Sequence, residues 1–431
     1  MILNKNYITL FDISFFILKK IHCMTKLKIK NIGAIKSTDN LENGYIDFDS
    51  VTLFIGNQGT GKSTISKIYS TLSWIEKALV RGDFSVSHIS QYNRFKKQLA
   101  YQNIGNYLKD NSYIEYLGKA YNIIYDNNRL DITKNIATET EYLFPKIMYV
   151  PAERNFVSTV ERPDLVKRLP LPLYTFLEEY EFAKQKLSDT IQLPIGNLKF
   201  EYNKRYKKSW LIGEDYKIDL LEASSGYQSL VPLFLVTKSL SKIISNEPNS
   251  SFKERSVADE NKIRLQLDKI IGNENISEDI KTLLLEKLSF RNKYSSFINV
   301  VEEPEQNLYP TSQKDILFSL LNSRNKNESN KLIITTHSPY IINYLTLAIK
   351  GFMLKSRIND VILDKELGDI VPLNSLINPN SVNIYQLNDS GYVDKLKNYK
   401  GLPSDENFLN EFLSAFNDDF IKLIEIEKKC Q

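Results

Sequence analysis

The chain has 431 residues, enough for two or three domains or for one large head with insertions. Hydrophobic content of 42% and charged content of 25% are ordinary for a soluble globular protein, and a net charge of +4 excludes a globally cationic nucleic-acid binder while leaving a local basic face open. Two cysteines near opposite ends (Cys23 and Cys430) and three histidines (His22, His88 and His337) exclude a disulfide framework and a His/Cys zinc centre, and point to a reducing, cytoplasmic compartment.

In chain order, residues 1–23 come first. The apolar run over residues 7–18 is interrupted by Asp12, is too short to span a bilayer, and precedes no small-residue cleavage site. An N-terminal extension is expected there, or a start misassigned ahead of Met24, with no membrane segment elsewhere. Residues 26–64 read as strand, turn, strand, phosphate loop and helix. Within them, Gly56-Asn57-Gln58-Gly59-Thr60-Gly61-Lys62-Ser63-Thr64 matches G-x-x-x-x-G-K-[ST], between a buried-strand pattern over 51–55 and a helical start over 65–69. Its glycines let successive backbone N–H groups face phosphate oxygens at a helix N-terminus. Lys62 then reaches the β- and γ-phosphates, and the Ser63 hydroxyl completes a Mg²⁺ shell.

Residues 72–140 lack a strong period and are expected to be a mostly helical insertion. A short strand at 146–150 ends at Pro151, and 160–195 reads as a second helical insertion broken by Pro170 and Pro172. Residues 197–218 alternate as a hairpin, with Leu198, Phe200 and Tyr202 on one face. A third helical insertion is expected near 240–292, opening on a polar loop at 245–251 and carrying an arm over 263–288. Buried strands are expected at 295–301 and 331–335, and no internal repeat or long heptad run is visible.

Three polar motifs follow the phosphate loop in order. Ala223-Ser224-Ser225-Gly226-Tyr227-Gln228-Ser229 opens an apolar helix, where a Ser and a Gly make a second phosphate cradle or simply cap the helix. Phe297-Ile298-Asn299-Val300-Val301-Glu302-Glu303-Pro304-Glu305 is an apolar strand ending in adjacent carboxylates. One can hold Mg²⁺ and the next polarise water. Leu332-Ile333-Ile334-Thr335-Thr336-His337-Ser338-Pro339 puts a histidine at a core-strand end, within reach of a γ-phosphate.

This order and wording resemble the ATP-binding-cassette class of ATPase heads, the group including the Rad50, RecF and SMC proteins, and more closely the AAA15 and OLD-like ATPases of bacterial phage-defence operons. Those read Glu-Glu-Pro-Glu-x-x-Leu-x-Pro, as Glu302 to Pro310 do, and Thr-His-Ser-Pro, as Thr336 to Pro339 do. Asn31-Ile32-Gly33-Ala34-Ile35 and Pro151-Ala152-Glu153-Arg154 match further segments, so the resemblance covers about residues 26–416. It implies an α/β fold: a P-loop NTPase of ABC-ATPase type, one head over 24–431 with a mixed β-sheet core and helical insertions. It also implies ATP and Mg as ligands, with Asn57, Gln58, Gly59, Thr60, Gly61, Lys62, Ser63 and Thr64 on the nucleotide and Ser63 and Glu302 on Mg²⁺. Glu303 becomes the general base and His337 the γ-phosphate sensor. Ser224, Ser225, Gly226 and Gln228 form a signature that contacts ATP held by a second subunit. Glu153 or Arg154 takes the place of the glutamine-loop residue. Two departures stand out: Glu302 replaces the aspartate of transporter cassettes, and the signature differs from Leu-Ser-Gly-Gly-Gln at its first and fourth positions.

The resemblance further implies a homodimer or higher oligomer through ATP-sandwiched heads, as a sensor or switch in anti-phage defence. Because no Asp-x-Asp pair follows His337, the expected effector is a separate, operon-encoded Toprim or HNH nuclease. The alternative is a RecF/Rad50-like DNA-repair ATPase that clamps DNA, using Lys199, Lys204, Arg205, Lys207 and Lys208 on the hairpin. A transporter ATPase fits the wording poorly.

Overall fold

The computed structural model describes residues 24–135, 142–166, 168–245 and 294–429. The extension expected over 1–23, and the 240–292 insertion from residue 246 onward with its loop and arm, lie outside the described residues. At the centre, five strands pair in parallel: β4 (Val51–Gly56), β8 (Pro145–Val150), β13 (Ser296–Glu302), β14 (Lys331–Thr336) and β15 (Val382–Leu387). Their order is β15-β4-β14-β13-β8, and the antiparallel β16 (Val393–Lys395) adds to β15. Every residue of β4 and β13 is buried, as expected for parallel strands covered on both faces.

A second, antiparallel sheet has the path β2-β1-β5-β6-β7, with β3 also paired to β1. Its strands are β1 (Thr25–Ile32), β2 (Ile35–Ser37), β3 (Ile46–Phe48), β5 (Leu108–Leu117), β6 (Tyr121–Asp126) and β7 (Arg129–Lys134). This corrects the expected mostly helical insertion near 72–140. That region is helical through the end of α1 (Lys62–Arg81), in a turn at Val86–Ile89 and in α2 (Arg94–Tyr101), and then turns to strand. The physical reason lies in β5, where Ser112, Ile114 and Tyr116 point inward while Tyr113, Glu115 and Leu117 alternate outward. Both faces carry large apolar side chains, which hides the period of two. The β6–β7 turn is Asn127-Asn128, both residues at positive φ, a tight-hairpin chemistry that asparagine tolerates.

Helix α1 lies between the two sheets. Its Ile65, Ile68, Tyr69 and Leu72 share one core with Leu27 and Ile29 of β1, Ile114 of β5, and Phe54 and Ile333 of the central sheet. The rings of Tyr69 and Phe48 stack at 3.7 Å. The opposite face of the central sheet presents Val51, Leu53, Ile55, Val301 and Ile334 to α3 (Leu171–Lys186), α4 (Ser225–Ser245), α5 (Pro310–Asn325) and α6 (Pro339–Lys355). A small sheet of β9 (Ile191–Gln192), β10 (Lys199–Asn203), β11 (Lys208–Ile212) and β12 (Lys217–Asp219) contains the expected hairpin, with Leu198, Phe200 and Tyr202 buried. Helix α7 (Val361–Ile370) follows α6, and α8 (Phe408–Lys429) ends the described chain. Among the described residues no helix is long and apolar enough to cross a membrane.

One buried carboxylate ties α1 to the antiparallel sheet. Glu76 accepts from Ala120 N at 2.6 Å, Tyr121 N at 3.2 Å and the Tyr116 hydroxyl at 2.8 Å. Burial raises its pKa, and those three donors pull it back. Glu76→Ala would strand these donors, at a cost of about 3 kcal/mol. Urea denaturation of the two proteins checks this, and a change under about 0.5 kcal/mol, the size of a neutral surface substitution, would show that the tie carries no stability.

Candidate nucleotide site

Parallel register brings three strand ends to one edge. Glu302 of β13 pairs with Thr335 of β14, and Thr336 pairs with Ile55 of β4. The residues just past those ends (Glu303, His337 and the loop from Gly56) therefore open into the same space, where ligands of open α/β sheets bind. Because β14 lies between β4 and β13, the histidine stands between the phosphate loop and the paired carboxylates.

The loop is held in shape by its own backbone. Gly56 has φ 144°, and a Cβ there would run into the Leu387 carbonyl oxygen, so only glycine fits. Asn57 Oδ1 accepts from Gln58 N at 2.8 Å, and Thr60 Oγ1 donates to Asn57 O at 2.9 Å. Asn57, Gln58 and Gly59 are exposed, Ser63 is half-buried, and Thr60, Lys62 and Thr64 are buried. The left-handed Gly61 (φ 104°) caps the start of α1, which ends on a left-handed Gly82. Lys62 Nζ donates to Gly56 O at 2.9 Å and Asn57 O at 2.7 Å. Burial lowers its pKa to about 8, opposed by the charges of Glu303 and Glu305.

Lys62, His337 and Glu303 form one line of contacts. Lys62 Nζ lies 3.4 Å from His337 Nδ1, and His337 Nε2 lies 3.4 Å from Glu303 Oε1. An ammonium only donates, so Nδ1 accepts and Nε2 carries the proton toward Glu303. The neighbouring imidazole is the main reason the Glu303 pKa is lowered; desolvation opposes it, and Arg154 and Lys62 assist. Glu303 is thus held ionised. Its backbone sits at φ 43°, left-handed for a residue with a side chain.

Glu302 is buried, with Oε2 accepting from Ala152 N at 3.1 Å and Oε1 without a protein partner. An orphaned, buried carboxylate oxygen fits a cation.

Two residues matter here that sequence reasoning passed over or placed only loosely. Glu305 Oε1 accepts from Thr336 Oγ1 at 2.7 Å and His337 N at 2.8 Å, which fixes the end of β14. Burial raises its pKa. The carboxylate was visible in the Glu-Glu-Pro-Glu run, but its target was not. Arg154, fully buried, does not offer its guanidinium to the loop. It donates to Glu302 O and Glu303 O at 2.7 Å each and to Ser229 O at 3.2 Å.

The Ser-Ser-Gly segment stands apart. Ser224 and Ser225 are exposed at the start of α4, and among the described residues no hydrogen bond joins their side chains to Lys62, Glu303 or His337. Gln228 is buried, its amide donating to Leu220 O and Leu221 O, so in this conformation it faces inward.

These strand positions and the phosphate loop define an α/β P-loop NTPase fold with a mixed β-sheet core. Residues 288–343, which carry Glu302 through His337, match the family model described as "AAA domain, putative AbiEii toxin, Type IV TA system". The chain is 23% identical over 362 residues to Endonuclease GajA of Bacillus cereus (strain HuB5-5), covering 68% of this chain and 52% of that one. It therefore spans about half the length of this curated relative. Among solved structures, the SMC head domain from Thermotoga maritima overlays with a TM-score of 0.33 at 11% identity, covering 75% of this chain and 92% of that one. The Smc head domain bound to the C-terminal domain of ScpA, derived from Pyrococcus furiosus, gives 0.34 at 11% identity, covering 87% and 96%. Overlays this loose carry no weight beside the strand order and loop.

The Lys62 pKa leads to a pH dependence. Because it lies below the ordinary lysine value of about 10.4, burying this ammonium costs stability fully below about pH 8. That cost is relieved as pH rises toward the unfolded value. Phosphate placed against Lys62 raises its pKa, so nucleotide binding takes up close to half a proton near pH 8 and weakens above it. Calorimetry in two buffers of different ionisation heat, with Lys62→Arg as control, measures the uptake; an uptake equal to the control's would show that Lys62 is fully charged beforehand.

Proposed function

We propose that this chain is a cytoplasmic, Mg²⁺-dependent ATPase whose turnover switches a two-headed assembly. The observation that carries this is the line Lys62–His337–Glu303 at the edge where β4, β14 and β13 end. Lys62 would exchange the carbonyls of Gly56 and Asn57 for the β- and γ-phosphate oxygens of ATP. Ser63 and Glu302 would hold Mg²⁺, which supplies charge neutralisation on the phosphates; the unpartnered Glu302 Oε1 supports this. Glu303 would take the proton of the attacking water, and His337 would sense the γ-phosphate.

Ser224 and Ser225 lie exposed at the start of α4, which supports a signature offered to a second copy; the bare Cα of Gly226 instead faces Asn307 of its own head. ATP then joins two heads, and its hydrolysis releases them. The family description and the endonuclease relative support a role in anti-phage defence, with DNA damage delivered by a separate effector such as a Toprim or HNH nuclease. A second reading, a DNA-clamping repair ATPase, draws on Lys204, Arg205, Lys207 and Lys208, all exposed around Tyr206 at the β10–β11 turn. Binding to duplex DNA that falls steeply with salt, and is lost when these four become Glu, would favour it.

Glu303→Gln tests the chemistry. It should bind ATP as wild type does, lose at least about a hundredfold in turnover, and accumulate as an ATP-dependent dimer in light scattering. Wild-type hydrolysis by this variant would remove Glu303 from the role of base. Lys62→Ala should instead weaken nucleotide binding itself.

A further inference from the structure

The start of α4 is docked on the turn that carries Glu303. Arg154 lies in the short turn after β8, next to β13, and is completely buried. One guanidinium donates to Glu302 O and Glu303 O on the carboxylate turn and to Ser229 O on α4, besides Pro151 O at 3.5 Å in its own turn. Two further contacts follow the same path. Ser229 Oγ donates to Gln306 Oε1 at 3.2 Å, and a Cβ on Gly226 would come within 2.8 Å of Asn307 O. Glu303, meanwhile, holds a left-handed backbone that persists only where its surroundings over-determine it. A planar fork whose three separate nitrogens reach two successive carbonyls and Ser229 O at once is suited to that task; the donors of a lysine all leave one nitrogen and cannot span the three sites.

We propose that Arg154 is a positioning residue that sets Glu303 and couples it to α4, so that each head's general base responds to the nucleotide its own signature contacts on the other head. This rests on the two-headed reading above. Each α4 start faces the partner's ATP, whereas each Glu303 acts on its own. A shift at Ser225 on engagement would pass along the first turn of α4 to Ser229, through Arg154 to the Glu303 carbonyl, and hence to the carboxylate. Neither site would turn over well until both were filled. The buried cation gains nothing by touching nucleotide, because its donors are already directed at backbone oxygens within its own head. Arg154 stays charged at neutral pH, since burial lowers its pKa only to about 10.

The test is steady-state hydrolysis against ATP concentration, together with nucleotide binding and thermal melting, for wild type, Arg154→Lys and Gln306→Leu. Wild type should be cooperative, with a Hill coefficient above one. Arg154→Lys should bind nucleotide with wild-type affinity, lose about a hundredfold in kcat through displacement of the base, and become non-cooperative. Gln306→Leu leaves the buried cation intact and keeps the test open if Arg154→Lys fails to fold; it should lower the Hill coefficient while largely retaining kcat. A cooperative wild type whose cooperativity survives in the folded variants overturns the coupling alone. A wild type that hydrolyses ATP as a monomer without cooperativity overturns the two-headed reading, and the coupling with it.

Discussion

In-register parallel pairing of β4, β14 and β13 is the constraint on which the site depends. Parallel strands end on one side of a sheet, so three segments far apart in the chain deliver a lysine loop, a histidine and a carboxylate pair to one edge. A shift of one residue in β13 would move its carboxylates along the strand and turn alternate side chains to the opposite face. Register is secured because both faces are buried: Phe54 and Ile333 pack under α1, while Leu53 and Ile334 pack under the helices opposite. Packing on both faces thus fixes the register that places the site.

The polar contacts then keep the edge rigid. Glu305 holds the end of β14, Arg154 holds the end of β13, and the glycine-shaped loop holds the end of β4. Each uses buried or half-buried groups, where a hydrogen bond left unmade is costly. The same burial shifts the ionisations in opposite directions, lowering Lys62 and raising Glu305. Glu303 escapes this trend because its histidine neighbour outweighs desolvation.

What could be read from sequence follows from how local each signal is. The phosphate loop, β13 and β14 are contiguous runs whose motifs sit at their ends, so each is legible by itself. The antiparallel strands β5–β7 are not, because tyrosines on both faces of β5 mask the alternation; the Asn127-Asn128 turn was the available clue. Arg154 illustrates a harder case. Its role depends on β8 lying beside β13, a pairing between segments about 150 residues apart that no local pattern announces. The inward turn of Gln228 likewise depends on the 3-10 turn Leu220–Glu222 just before α4.

The left-handed backbone at Glu303 has a further consequence. A position that would sit most easily with glycine or asparagine carries instead a carboxylate bearing a long side chain. Selection for foldability alone would drift away from glutamate there, so its presence marks a trade between thermodynamic ease and chemistry. The surrounding segment is therefore under two demands at once, and random substitution near it should expose stabilised but silent proteins more readily than elsewhere in the sheet.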